Sequence, residues 1–255
     1  PIPPREHLVI PWLKQGESAM IYAPAGVGKS MFALSLALAV AGGGKFLAWP
    51  APKPRRVLVV DGEMHLDDIK SRAGVLLDML DVDQDQAREN LRIFARQWQR
   101  PEVKFPDLAT EEGRREVEAM AADCDLLILD NLSTLATLED ENATSSFNDV
   151  VKLLMRMKQR NVACVLVHHT GKSKTSYRGS SMLATTFEVI IGLEQLTGQR
   201  AAAGAAFSTK SEKYRGRKDP AIRAWDAWLD DDGWHHEVSP REELDRMLEE
   251  LETGQ

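Results

Sequence analysis

Residues 18–30 read SAMIYAPAGVGKS: a short apolar run, a turn carrying Gly26 and Gly28, then Lys29 and Ser30 at the head of the helix-patterned run 31–41. A buried strand that feeds a glycine turn opening a helix is the layout of a phosphate cradle. Successive backbone N–H groups at a helix N-terminus face the anion, and the helix dipole adds partial positive charge. In such a loop Lys29 sits on the β- and γ-phosphate oxygens, and the Ser30 hydroxyl ligates Mg²⁺. The expected ligand is therefore ATP with Mg²⁺, held by Ala23, Pro24, Ala25, Gly26, Val27, Gly28, Lys29, Ser30 and Met31. The spacing GxxxxGKS is met at every position but the first, where Ala23 stands for glycine. An alanine there costs little if its φ stays negative.

Further along, apolar strand-like runs alternate with helical patterns. RVLVVD (56–61), LRIFA (91–95), DLLILD (125–130) and VACVLVH (162–168) are the runs, and helices are expected from the segment after residue 63 through Leu80, over 110–121 and over 146–160. That alternation predicts an α/β fold, a parallel sheet covered by helices on both faces. Past His169 the pattern changes to FEVIIGLEQ, AAFSTKSEK and AIRAWDAWL, which predict antiparallel strands extending the sheet. The three glycines 42–44 end the first helix, and the Pro- and Trp-bearing stretch up to Arg56 is expected to be a loop. Residues 1–15 are expected as an arm laid on a domain of residues 16–238, with 239–255 a surface helix or tail.

The 255 residues carry a net charge of −7, two cysteines far apart, and no apolar run long enough to span a bilayer. These features argue against a disulfide framework, a zinc site, a membrane span and a surface coated for nucleic acid, and they predict a cytoplasmic protein. A local basic site remains open, because the acidic residues gather at 81–85, 139–141, 230–232 and the C-terminal tail.

Each strand end carries candidate chemistry. Asp130 closes LLILD, where its carboxylate would face the Mg²⁺ shell. Glu63, just past a strand in VVDGEMH, suits the general base that deprotonates the attacking water; Asp61, inside the strand, suits a supporting role. His168 and His169 end the strand before TGK, and His169 is the better candidate to sense the γ-phosphate. In the loop TGKSKTSYRGSS (170–181), Lys172, Lys174, Tyr177 and Arg178 would suit single-stranded nucleic acid, while a solvated loop that binds nothing fits the composition equally. Lys213 and Arg215, in KYRG on an expected late hairpin, would stabilise a neighbour's γ-phosphate in a ring and would be a solvated basic turn in a monomer.

Taken in order, APAGVGKS, VVDGE, LLILDN, LVHHTGK and KYRG resemble the RecA-type P-loop ATPases, and among them the hexameric replicative helicases of the RepA type, akin to the DnaB-like superfamily. The resemblance runs over residues 8–238. It implies a three-layer αβα core and a homo-oligomer, a hexameric ring with ATP between subunits. It further implies Lys29 and Ser30 on phosphate and Mg²⁺, Glu63 as base, Asp130 on the metal, His169 as sensor, Arg215 with Lys213 acting in trans, and inner-channel loops on single-stranded DNA. The rival readings are an ATP-gated DNA-binding or recombination-mediator protein that unwinds nothing, and a regulatory ATPase acting on a protein partner.

Overall fold

The structure, a computed structural model, describes residues 4–137, 144–169, 185–196, 205–217, 219–240 and 242. Its centre is a nine-stranded sheet. Strand β3 (Ser18–Ala23) lies in the middle, flanked on one side by β9 (Ala163–His169), β8 (Leu126–Asp130), β6 (Val57–Asp61) and β7 (Leu91–Ala95). On the other side lie β10 (Val189–Gln195), β11 (Ala205–Tyr214), β12 (Trp225–Asp230) and β13 (Gly233–Val238). From β10 through β7 every pairing is parallel, whereas β11, β12 and β13 are added antiparallel.

The interior strands are buried end to end, which is why they read as unbroken apolar runs rather than alternating ones. One face is covered by α1 (Lys29–Gly42), α2 (Leu66–Met79) and α3 (Gln84–Asn90). The other is covered by α4 (Glu111–Met120), α5 (Leu132–Leu135) and α6 (Thr144–Gln159). The helix that opens at the phosphate loop, KSMFALSLALAVAG, is apolar nearly all round, and its residues from Phe32 to its end are buried. Such a helix belongs inside a fold, and here α2 and α3 pack against it.

Two expectations are corrected. Residues 44–51, expected as loop, form a hairpin of β4 (Gly44–Phe46) and β5 (Trp49–Ala51). Its pairing rests on burying Phe46 and Trp49 against Phe32 of α1, contacts distant in sequence that no local pattern records. The short polar helix α3 was likewise not expected. It carries no apolar periodicity and is held by its Asp83 cap, whose Oδ1 accepts from Gln86 N at 3.0 Å. At the N-terminus β1 (His7–Val9) pairs with β2 (Leu13–Lys14), and Leu8, Val9, Trp12 and Leu13 join the apolar cluster that contains α1. The expected C-terminal helix lies outside the described residues, among which no helix is long and apolar enough to cross a membrane.

Phe32, two residues beyond Ser30, is the hub of an aromatic cluster. Its ring lies 5.1 Å from Phe46, 5.9 Å from Trp49 and 5.8 Å from Phe207. Trp234 closes the group at 5.4 Å from Phe46 and 5.6 Å from Phe207, donating its Nε1–H to Ser35 Oγ at 2.9 Å. The start of α1 is therefore pinned by four separate strands. Phe32→Ala is expected to cost about 3–5 kcal/mol of unfolding free energy, read as a lower urea midpoint at unchanged slope.

Candidate functional site

Because β3, β6, β8 and β9 run parallel, their C-terminal ends meet at one edge of the sheet. Ala23 lies beside His169, and Asp61 beside Asp130. The candidates at the ends of these strands, Asp61, Asp130 and His169, are brought to the phosphate loop by this topology alone.

The phosphate loop turns from Ala23 into α1. Ala23 is the last residue of β3 and is not among the residues with positive φ, so its substitution for glycine is without strain. Gly26 and Gly28 do need their freedom, with φ of 81° and 112°. A Cβ on Gly28 would also come within 2.9 Å of the Ala205 methyl. Gly28 O accepts the first helical bond from Phe32 N at 2.9 Å. Lys29 is 6% exposed, and its Nζ donates to Ala23 O at 2.9 Å and Pro24 O at 2.7 Å. Burial lowers its pKa, opposed by the negative charges of Asp130 and Glu63.

Asp130 is buried at the end of β8, hydrogen-bonded by Ser30. Burial first, then the nearby Asp61 and Glu63 carboxylates, push its pKa up to about 7, with Ser30 and Lys29 opposing. A crowd of carboxylates around one ammonium is a site that accepts a further cation. Ser30 and Asp130 offer it hard oxygen donors, as Mg²⁺ requires. Among the described residues no three His, Cys, Asp or Glu side chains form a metal cage. Mg²⁺ in nucleotide sites does without one, being completed by phosphate and water, so the donors fit.

Glu63 lies just past β6, exposed, with its Oε2 accepting from Asn131 Nδ2 at 2.7 Å. Asp61 supports the same turn: its Oδ1 accepts from Glu63 N at 2.8 Å and Met64 N at 2.6 Å. The turn is also tied to β8 through Gly62 N donating to Asp130 O at 2.8 Å. The two histidines part company. The His168 ring is buried against Phe147 at 5.8 Å, on the face covered by α6. His169 is half-buried near Lys29 and Glu63; burial, then the Lys29 charge, lower its pKa, so the ring is neutral at pH 7.

Asn131 was given no role in the sequence reading. It is 3% exposed and is the residue that grips Glu63, and its signal was an amide directly after LLILD. Lys213 and Arg215 are not part of this edge. They lie at the end of β11, where Lys213 pairs with Ile190 and through it stands level with Met20, near the start of β3. They are therefore about 10 Å down the strand axis and two strand spacings, about 10 Å, across from the phosphate loop. KYRG opens the expected hairpin connection between β11 and β12, which pair antiparallel, and a 3₁₀ turn at Pro220–Ile222 lies within that connection. Lys172, Lys174, Tyr177 and Arg178 lie outside the described residues.

A family model described as an AAA domain matches residues 1–175, more than half of the chain. No curated protein matches the sequence. Among solved structures, a KaiC-like protein from the hyperthermophilic archaeon Pyrococcus horikoshii is similar at 13% identity and a TM-score of 0.65, covering 92% of this chain and 99% of that one. At that identity the likeness shows a RecA-like fold and selects no activity.

Asn131→Ala removes the amide that holds Glu63. It is expected to lower the ATP turnover number about tenfold while nucleotide affinity, read by fluorescent-nucleotide titration, stays within about twofold.

Proposed function

The chain belongs to the AAA domain family and is a RecA-like P-loop ATPase, and from that premise we propose that it is a hexameric ring helicase that moves on single-stranded DNA. The observation that carries this reading is the separation of the site's two halves. The phosphate loop, Glu63, Asp130 and His169 occupy one edge of the sheet, and Lys213 and Arg215 the opposite end of it. Within one subunit these cations are out of reach of the phosphates. In a head-to-tail assembly each subunit's β11 end faces its neighbour's loop, and a rotation that closes gives a ring.

Lys29 would turn its ammonium from the two loop carbonyls onto the β- and γ-phosphate oxygens, exchanging neutral acceptors for charged ones. Ser30 and Asp130 would hold Mg²⁺, which supplies neutralisation of the phosphate charge when bound. Glu63, fixed by Asn131, takes the proton of the water whose oxygen bonds to the γ-phosphorus as the bond to the ADP oxygen breaks. The neighbour's Arg215 and Lys213 stabilise the charge that develops on the transferred group. His169, neutral and beside Lys29, is placed to register whether the γ-phosphate is there and to pass that to the loop that follows, which carries Lys172, Lys174, Tyr177 and Arg178. With a chain of net charge −7, the grip on DNA has to be local to such loops.

The test is the ATPase rate with and without single-stranded DNA on protein of measured mass, together with displacement of a labelled strand. Stimulation, unwinding and a hexamer mass are expected. DNA-stimulated turnover without displacement would favour the mediator reading, and a monomer indifferent to DNA would sink the proposal. Glu63→Gln is expected to bind ATP and not turn it over. Mixing Lys29→Ala with Arg215→Ala subunits is expected to restore part of the activity each lacks, since in some interfaces an intact loop meets an intact Arg215.

A further inference from the structure

At the far end of the sheet from the phosphate loop, one buried carboxylate gathers more partners than any strand-pairing role requires. Glu188 stands immediately before β10, and its side chain is 12% exposed. Its backbone bridges two strands: Glu188 N donates to Ser18 O at 2.9 Å, and Glu188 O accepts from Arg215 N at 3.1 Å. Its Oε2 accepts from Ser18 N at 2.9 Å. Its Oε1 takes Lys158 Nζ of α6 at 2.6 Å and faces Arg215 Nη1 at 3.5 Å. The other arm of that guanidinium, Nη2, donates to Thr185 O at 2.6 Å.

The arrangement fixes Arg215 at three points, its own backbone N–H and both ends of its planar fork. Lys213 shares the same surroundings, feeling the charges of Arg215, Glu188 and Lys158. Glu188 thus holds Lys158 and faces Arg215 at a partly exposed edge, next to a cavity of about 290 Å³ whose charged lining is Arg5, Lys14, Glu17, Glu188 and Arg215. An arginine that has to meet a phosphoryl group from the next subunit gains most from having its long side chain ordered beforehand, because the ordering entropy is then not spent at the moment of reaction. Burial makes the carboxylate an effective holder: an ion taken out of water is retained where it is paired and hydrogen-bonded, and Glu188 is both.

We propose that Glu188 is the positioning residue of the trans-acting Arg215: it orients the guanidinium from behind, sharing its charge with Lys158 so that the arginine is aimed and not captured. This rests on the reading of Arg215 as a group that serves a neighbour's ATP. Glu188 itself touches no substrate.

The test is a double-mutant cycle on the assembled protein, with kcat and KM for ATP measured for E188Q, R215A and the pair. E188Q keeps the volume and an acceptor for Ser18 N while removing the charge. It is expected to lower kcat about tenfold with KM within about twofold. On the R215A background it is expected to change kcat by less than about twofold, because a positioning residue has nothing left to position. A purely structural role would give the same loss on both backgrounds and would overturn the proposal, as would a kcat for E188Q equal to or above the parent's, the latter marking Glu188 as a restraint on Arg215. If R215A alone leaves turnover unchanged, the finger reading falls and this proposal with it. If R215A lowers turnover and the cycle is additive, only the role of Glu188 falls. Should E188Q fail to fold, E188D, which keeps the charge but draws it back by one methylene, enters the cycle under the same criteria.

Discussion

A buried ammonium held by two backbone carbonyls organises the nucleotide edge. Lys29 donates to the carbonyls of Ala23 and Pro24, and Asp130 and Glu63 act on it across space. Taking a charge out of water is costly unless it is hydrogen-bonded and balanced, so the loop has to present those carbonyls inward and the strand ends have to bring carboxylates near. The first demand is met by the turn through Gly26 and Gly28. The second is met by β6 and β8 lying side by side, with Asp61 level with Asp130. Phe32 and its aromatic neighbours hold the helix start that carries the lysine. The apolar core thus serves the site by removing the freedom of α1 to shift along its axis.

Strand direction then divides the labour between the two edges of the sheet. Every parallel strand delivers its C-terminal end to the nucleotide edge, and that is where the candidates Glu63, Asp130 and His169 gather. The reversal at β11 sends the chain back, so Lys213 and Arg215 arrive at the opposite end. A chain built this way carries a candidate nucleotide site at one end of its sheet and Lys213 and Arg215 at the other.

Much of this was legible in the sequence because the governing signals are local. VLVVD, LLILD and ACVLVHH are unbroken apolar runs, the mark of strands buried on both faces, and each stops at an ionisable residue. The α/β class and the grouping of Lys29, Glu63, Asp130 and His169 at one edge follow from that. What stayed hidden depends on contacts distant in sequence. The β4–β5 hairpin exists because Phe46 and Trp49 find Phe32, and residues 44–51 by themselves show no alternating pattern and carry Gly44 and Pro50. Asn131 follows Asp130 in the chain, yet its importance comes from Glu63, 68 positions earlier. Glu188 reads as one more polar residue at a strand start until Lys158, Arg215 and Ser18 are folded around it.

The charge balance of the nucleotide edge also bears on the order in which its parts come together. Burial first, then the Asp61 and Glu63 carboxylates, raise Asp130, and Ser30 and Lys29 offset this only in part. Such an edge has room for a further positive charge. Phosphates that arrive already carrying Mg²⁺ bring the missing positive charge with them, and Ser30 and Asp130 are the oxygen donors that meet it. At the opposite end Glu188 is paired with Lys158 and faces Arg215, so its charge is met within the chain. The nucleotide edge thus leaves negative charge for a cation to meet, whereas the far edge meets Glu188 with its own lysine and arginine.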